Sequence, residues 1–345
     1  MSRQSDTFTI GIELDGAEVR RLARLVSAAE THGFSFASFD DSASAPANGD
    51  ALVDSILRAA FVSPTTSSIG LVPVSDVIYG EPFHLATQLA SLDHASRGRA
   101  GFIVRAELDD DAAAAVAWKT ADANEIADEA ADVVAVSRQL WDSWSDDAVI
   151  RDRPTGRYID RDRVHYPRFE GRRFSITGPS IISRPPQGQL VVFAPGSLTL
   201  AADIDADVVL VDGASEAELV RSAASARGRG AARVFAEIEV ALDAAGEPAR
   251  ARVERLDAAQ PWASASRLRY VGDSDGLTEL LTRLAADLDG VRLHVASLDT
   301  DLDEIGYRVL PALRQGGVHT PPVVGNTLRD IIGLARPANR FEEAS

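Results

Sequence analysis

Six histidines and no cysteine bound the side-chain chemistry of this 345-residue chain. Without cysteine there is no disulfide, no thiolate nucleophile and no Cys-ligated metal. Two histidines are candidate catalytic groups. His165 lies in the stretch VHYPRF, and neutral imidazole can bind a substrate or carry a proton near pH 7. His294 interrupts the apolar run VRLHVAS, so it is placed to point into an enclosed interior. His84 and His94 sit at packing positions of one helix, and His32 is helix-terminal. No His-x-x-x-His pair or Asp/Glu cluster has metal-ligand spacing, and no Ser/His/Asp set can be argued from spacing. Asp41 ends the run FSFASFDD and Ser75 ends IGLVPVS; each is also an ordinary cap or turn residue. Arg105 and Glu107 follow GFIV, where they can act at a site or pair with each other. Gly196 and Ser197, in FAPGSL, are small enough to let backbone N–H groups approach an anion, although Pro195 removes one donor.

These residues fall at the ends of short apolar runs, which are the elements that must position them. FTIGIEL, FSFASFDD, IGLVPVS, AGFIV, QLVVFAPGS, DVVLVDG, ARVFAEIEVAL and VRLHVAS read as buried strands. Helical segments alternate with them. Between the third and fourth runs, Pro82 opens a helix, Leu85, Leu89 and Leu92 share one face, and Gly98 closes it. Strand, helix and strand with short joints demand a parallel pair. Eight strands in alternation, with no G-x-G-x-x-G after the first, predict a (β/α)8 TIM barrel rather than a doubly wound sheet. The period fails from Val149 to about Gln189, so an insertion of about 145–189 is expected between strands four and five. Tyr158, Tyr166 and Phe169 lie in it as pocket-wall or packing aromatics. The whole chain reads as one domain with a tail from about 318 to 345.

A formal net charge of −17 argues against a nucleic-acid partner, because phosphate binding is driven by Lys and Arg. No run approaches the roughly 18 apolar residues of a membrane span, and the N-terminal stretch lacks a signal-peptide core. Cytoplasmic residence is expected.

The stretch EPFHLATQLASLDHASRGRAGF resembles the third-helix segment of bacterial-luciferase-like flavin monooxygenases, in the branch of nitrilotriacetate and dibenzothiophene-sulfone monooxygenases. LWDSWSDDA, VHYPRFEGRRFSITGPSIISRP, SRPPQG, LPALRQGG and TLRDIIGLARPANR resemble further family segments in the family's order. The resemblance implies a (β/α)8 barrel that binds reduced flavin mononucleotide from an NAD(P)H:flavin reductase. With O2 it would oxygenate a small organic substrate, as a homo-oligomer. It also implies that Asp41, Ser75, Gly196 and Ser197 lie at the cofactor, and Arg105 is a candidate to substitute there for polar groups the family keeps on strand four.

Several positions depart from the family pattern. Ile103 and Ala106 stand where the family keeps Asn and Thr on strand four. Ala127 replaces a phosphate-reaching Tyr on a strongly acidic helix, and the loop after Phe193 is short. Two alternatives therefore stay open: a deazaflavin-dependent oxidoreductase, and a non-catalytic luciferase-like subunit that has lost flavin binding and uses no cofactor.

Overall fold

The computed structural model describes residues 8–14, 19–41, 53–116, 122–244, 246–259 and 266–342. β1 (Thr9–Glu13), β2 (Phe36–Phe39), β3 (Gly70–Asp76) and β4 (Gly101–Arg105) are separated by α1 (Val19–His32), α2 (Ser55–Val62) and α3 (Pro82–Ser96). Then α4 (Asp110–Ala115) and α5 (Ala123–Trp141) lead into two hairpins, β5 (Val149–Asp152) with β6 (Arg157–Ile159) and β7 (Arg168–Glu170) with β8 (Ser175–Thr177). The alternation resumes with β9 (Val191–Pro195), α6 (Gly196–Ala201), β10 (Val208–Val211), α7 (Glu216–Gly228) and β11 (Arg233–Leu242). It ends with α8 (Ala249–Ala259), β12 (Leu268–Gly272), α9 (Ser274–Leu284) and β13 (Gly290–Val295). A closing helix runs through α10 (Leu298–Glu304), a π-helical stretch Ile305–Val309 and α11 (Leu310–Gln315), and α12 (Leu328–Ile331) follows.

The hydrogen-bonded order β1, β2, β3, β4, β9, β10, β11, β13 returns to β1, and every pairing is parallel. This is the closed (β/α)8 barrel that the alternation predicts, with the insertion between its fourth and fifth strands. β12 lies outside the eight predicted strands. β11 is ten residues long and outruns β10, so its second half, from Ile238, pairs with Leu268–Gly272 instead. The insertion also holds more structure than its lost period suggests. Its strands are three or four residues long and mostly exposed, too short and too polar to show alternation.

Local chemistry fixes the helix ends. Glu81 caps α3, accepting hydrogen bonds from the N–H groups of Phe83 at 3.1 Å and His84 at 2.6 Å, and Pro82 takes the first position. A capping box of Asp122 and Glu125 opens α5. Trp141, fully buried, donates its indole N–H to Ala86 O at 3.0 Å and so joins α5 to α3.

Inside the barrel, alternate strand residues build two layers of different chemistry. The lower layer is apolar. Phe36, Phe193 and Phe235 pack with ring centroids 5.4 to 6.2 Å apart. Leu328 of α12 closes the N-terminal end, and its methyls lie where a Cβ on Gly70 or Gly101 would come within 2.7 Å. The tail is therefore a plug. Arg329 secures it through Gln189 O at 2.8 Å and Asp207 Oδ1 at 3.0 Å. Truncating this fully buried side chain, Leu328→Ala, is expected to lower the unfolding free energy by about 2–5 kcal/mol. Urea denaturation checks this; a loss well under about 1 kcal/mol would mean that the plug is dispensable.

Candidate active site

Towards the C-terminal end of the strands the inward positions turn polar. β13 reads Gly290, Arg292, His294; β11 reads Phe235, Glu237, Glu239; β1 reads Gly11, Glu13. Of these, Glu13, Glu237, Arg292 and His294 face a cavity of about 300 Å³ in the barrel mouth, where barrels generally keep their sites. Val74, Ile103 and Leu210 form an apolar floor. Glu13, Asp40, Arg105, Arg267, Arg292 and His294 contribute polar wall.

Arg292 organises that wall. Its Nε donates to Ser38 Oγ at 2.8 Å, Nη1 to Glu237 Oε1 at 2.5 Å, and Nη2 to Glu13. His294 lies between the same two acids, with Nδ1 3.2 Å from Glu13 Oε2 and Nε2 3.4 Å from Glu237 Oε1. The 3.4 Å Nε2 contact is an ion pair and not a hydrogen bond, so this buried atom, in a side chain that lines the cavity, has no hydrogen-bond partner.

Burial alone would raise both carboxyls. The charges of Arg292 and His294, with the His294–Glu13 contact, overcome it, holding Glu13 at about 2 and Glu237 well below the usual carboxylate range. For His294, burial and the neighbouring Arg292 favour the neutral ring. The two carboxylates outweigh them and raise its pKa, so the imidazolium is favoured. At the rim, Arg267 donates to Glu237 Oε2 at 2.9 Å, and Arg105 pairs with Asp40. Burial and the nearby Glu237 push the Asp212 carboxyl up.

The sequence-derived candidates separate. His294, Arg105 and Ser197 line the cavity. Gly196 stands beside it at the start of α6, where a Cβ would come 3.2 Å from Leu210 O. No side chain caps α6, so its first N–H groups are free of one. Asp41 does not line the cavity; it accepts a hydrogen bond from Ser55 N at 2.7 Å and steadies the entry to α2, while its neighbour Asp40 faces the site. Ser75 falls on the opposite face of β3 from Val74, buried, with its Oγ unpartnered. His165 sits in the insertion, 3.1 Å from Ser145 Oγ and stacked on Phe341 of the tail at 5.1 Å. Ile103 and Ala106 line the cavity, and Ala127 is buried on α5. Among the described residues, no group of three or more His, Asp or Glu could hold a metal ion, and no helix is long and apolar enough to cross a membrane.

Glu13, Asp40, Glu237, Arg267 and Arg292 were not among the candidates. The available signal was a charge at an inward parity position near the end of an otherwise apolar strand.

The network implies a pH window. His294, raised above its free value of about 6.5, stabilises fully below that pH, and the benefit fades as pH climbs through its folded value. Glu13 and Glu237, both lowered, stabilise above about pH 4.5 and lose that contribution in acid. The Tm difference between wild type and His294→Gln should therefore be largest below pH about 6.5 and shrink in mildly alkaline buffer. A difference independent of pH would mean that the ring is neutral throughout.

A model of the luciferase-like monooxygenase family matches residues 5–300. N-acetyl-S-(2-succino)cysteine monooxygenase of Bacillus subtilis is 28% identical over 357 aligned positions, covering 81% of each protein. Nitrilotriacetate monooxygenase component A of Aminobacter aminovorans is 34% identical over 151 positions, covering 42% of this chain and 32% of that one. Among solved structures, a riboflavin lyase with modified FMN and riboflavin superposes with a TM-score of 0.82 at 22% identity, covering 97% of this chain and 98% of that one. With a family model spanning most of its length and the barrel that goes with it, the chain belongs to the luciferase-like monooxygenase family, a family of oxidoreductases.

Proposed function

We propose that the chain is the oxygenase component of a two-component flavin-dependent monooxygenase. It takes reduced flavin mononucleotide from a separate NAD(P)H:flavin reductase and uses O2 to oxygenate a small organic molecule, acting in the cytoplasm as a homo-oligomer. One observation carries this reading: an apolar floor in the barrel mouth faces a polar wall in which the buried His294 Nε2 lacks a hydrogen-bond partner.

The residues suit the flavin ring. Val74, Ile103 and Leu210 match its flat apolar face and exclude water from it. His294 and Arg105 offer donors to its nitrogen and oxygen edge. The phosphate finds a sparser set, because Arg105, Arg267 and Arg292 are each ion-paired. It falls to the first N–H groups of α6 at Gly196 and Ser197. Asp41, Ser75 and His165 stay outside this proposed set. When bound, the reduced flavin supplies the two electrons with which O2 gives one atom to the substrate and one to water. Ionised Glu13 and Glu237 favour the protonated form of His294, which would offer its N–H to negative charge at the ring edge.

The test is anaerobic calorimetry of cofactor-free protein with reduced and oxidised flavin mononucleotide and with deazaflavin. Reduced flavin mononucleotide should bind most tightly, and His294→Ala should weaken it by about tenfold or more, the worth of a charged hydrogen bond. Selective deazaflavin binding would move the assignment to hydride transfer. Failure of both ligands would leave a family subunit without its cofactor.

A further inference from the structure

The β7–β8 hairpin pairs with no other strand among the described residues, and a hairpin of that kind is marginal in water unless something packs against it. Here α5 does so, and its acids clasp the hairpin tip, residues 171–174. Arg172 pairs with Asp128, and its backbone N–H donates to Asp132 Oδ2 at 3.0 Å. Arg173 lies 3.1 Å from Glu125 Oε2 and 3.3 Å from Glu129 Oε2. A Cβ on Gly171 would come within 2.7 Å of Asp132 Oδ2, so the tip backbone rests directly on the helix. Behind the tip, Phe169 and Phe174 stack at 5.6 Å and pack with Val136 and Leu140 of α5.

Most of these pairs are exposed and hold the tip only weakly. Glu129 differs. Its side chain is 4% exposed, and its Oε2 has the ion pair with Arg173 but no hydrogen bond. Glu125, Asp128 and Asp132 stand on the same helix, and the charge of Asp76, at the end of β3, also reaches it. Asp76 in turn faces Arg105 and Glu107 at the end of β4. Against the acids of α5 the hairpin brings two guanidiniums, Arg172 and Arg173. A buried carboxylate short of donors and set among like charges favours its protonated form. Burial pushes Glu129 up to about 7; Arg173 opposes the shift, and Asp132 and Asp76 add to it.

The clasp sits at the mouth end of the barrel. α5 follows β4, so its first turns lie level with the C-terminal ends of the strands, where Asp76 and Arg105 are register partners. We propose that the β7–β8 hairpin is a pH-operated latch, shut on α5 while Glu129 holds a proton and released as Glu129 ionises. An ionised Glu129 calls for water or further donors, and under the tip it finds only Arg173. Lifting the tip hydrates it, a local opening that leaves the barrel intact. A carboxyl raised in the shut state keeps its proton longer there than in solvent. The shut state is therefore fully favoured below about pH 4.5 and loses ground as pH climbs to about 7. The latch needs no ligand in the barrel mouth, so it stands or falls apart from the flavin.

The experiment is hydrogen exchange of the full chain at about pH 6 and about pH 8, with each rate corrected for intrinsic exchange. The hairpin, residues 168–177, should open about tenfold more at the higher pH, the ratio implied by a carboxyl raised from 4.5 to about 7. α3, which α5 packs against, should keep the same protection at both. Glu129→Gln has no proton to lose there and should leave the hairpin's opening alike at both. An NMR titration of the Glu129 carboxyl in wild type needs no variant and should show a midpoint near 7. Hairpin protection that does not change with pH in wild type would overturn the proposal. So would an unchanged pH response in Glu129→Gln, an equal loss of protection in α3, or a carboxyl midpoint near 4.5.

Discussion

Arg292 is the constraint on which the upper half of this barrel depends. It is a buried guanidinium in the interior of a closed sheet, on the strand where the ring shuts between β1 and β11. A charge there cannot be tolerated alone; it must be paired and hydrogen-bonded. Ser38 of β2, Glu13 of β1 and Glu237 of β11 meet that demand, so one side chain fixes three neighbouring strand ends. Its two acids then have their ionisation set by it, and their charge sets that of His294. The state of the site residue is thus inherited from a structural requirement. Within the network two carboxylates face the Arg292 guanidinium and a His294 ring whose charged form they favour.

The other end of the barrel follows different physics. There the space inside the ring is filled by volume: three phenylalanines and a leucine carried in by the chain's own tail. The close approach needs residues without a Cβ. Gly11 stands where a Cβ would come within 2.1 Å of the Phe36 ring, and Gly70 and Gly101 make room for Leu328. A dry, tightly filled base holds the strands while the mouth keeps open space, and that division lets the mouth change composition without loss of the fold.

The barrel was legible because parallel strands buried on both faces read as continuous apolar runs, and because helices such as α3 carry their leucines on one face between clear start and stop residues. β12 was not, since half-exposed LRYVG shows neither a run nor an alternation. At the site, His294 stood out as a titratable residue in an apolar strand. Its partners did not, because Glu13 and Arg292 are 279 residues apart and only closure of the ring brings them together. Asp41 and Ser75 illustrate a one-residue parity error: the side chains facing the cavity are those of Asp40 and Val74, one step earlier in each case. His165 lies in the insertion and not on the barrel-mouth cavity, and the tail's Phe341, against which it stacks, lies 176 positions further on and is invisible to local pattern.

The departures from the family pattern on β4 and α5 make sense together with the network on β1, β11 and β13. Where the family resemblance leads one to expect polar groups, Ile103 and Ala106 give the mouth apolar lining and Ala127 is buried on α5. Across the cavity the chain presents Glu13, Glu237, Arg292 and His294. A flat ligand in such a mouth is directed by its edges: its polar rim is drawn to the β1–β13 side, and its apolar face rests on Val74, Ile103 and Leu210. Paired arginines add little pull on an anionic group, because each has already satisfied its charge within the protein. A ligand proposed for this mouth would be selected by the position of hydrogen-bond donors over an apolar floor more than by net charge.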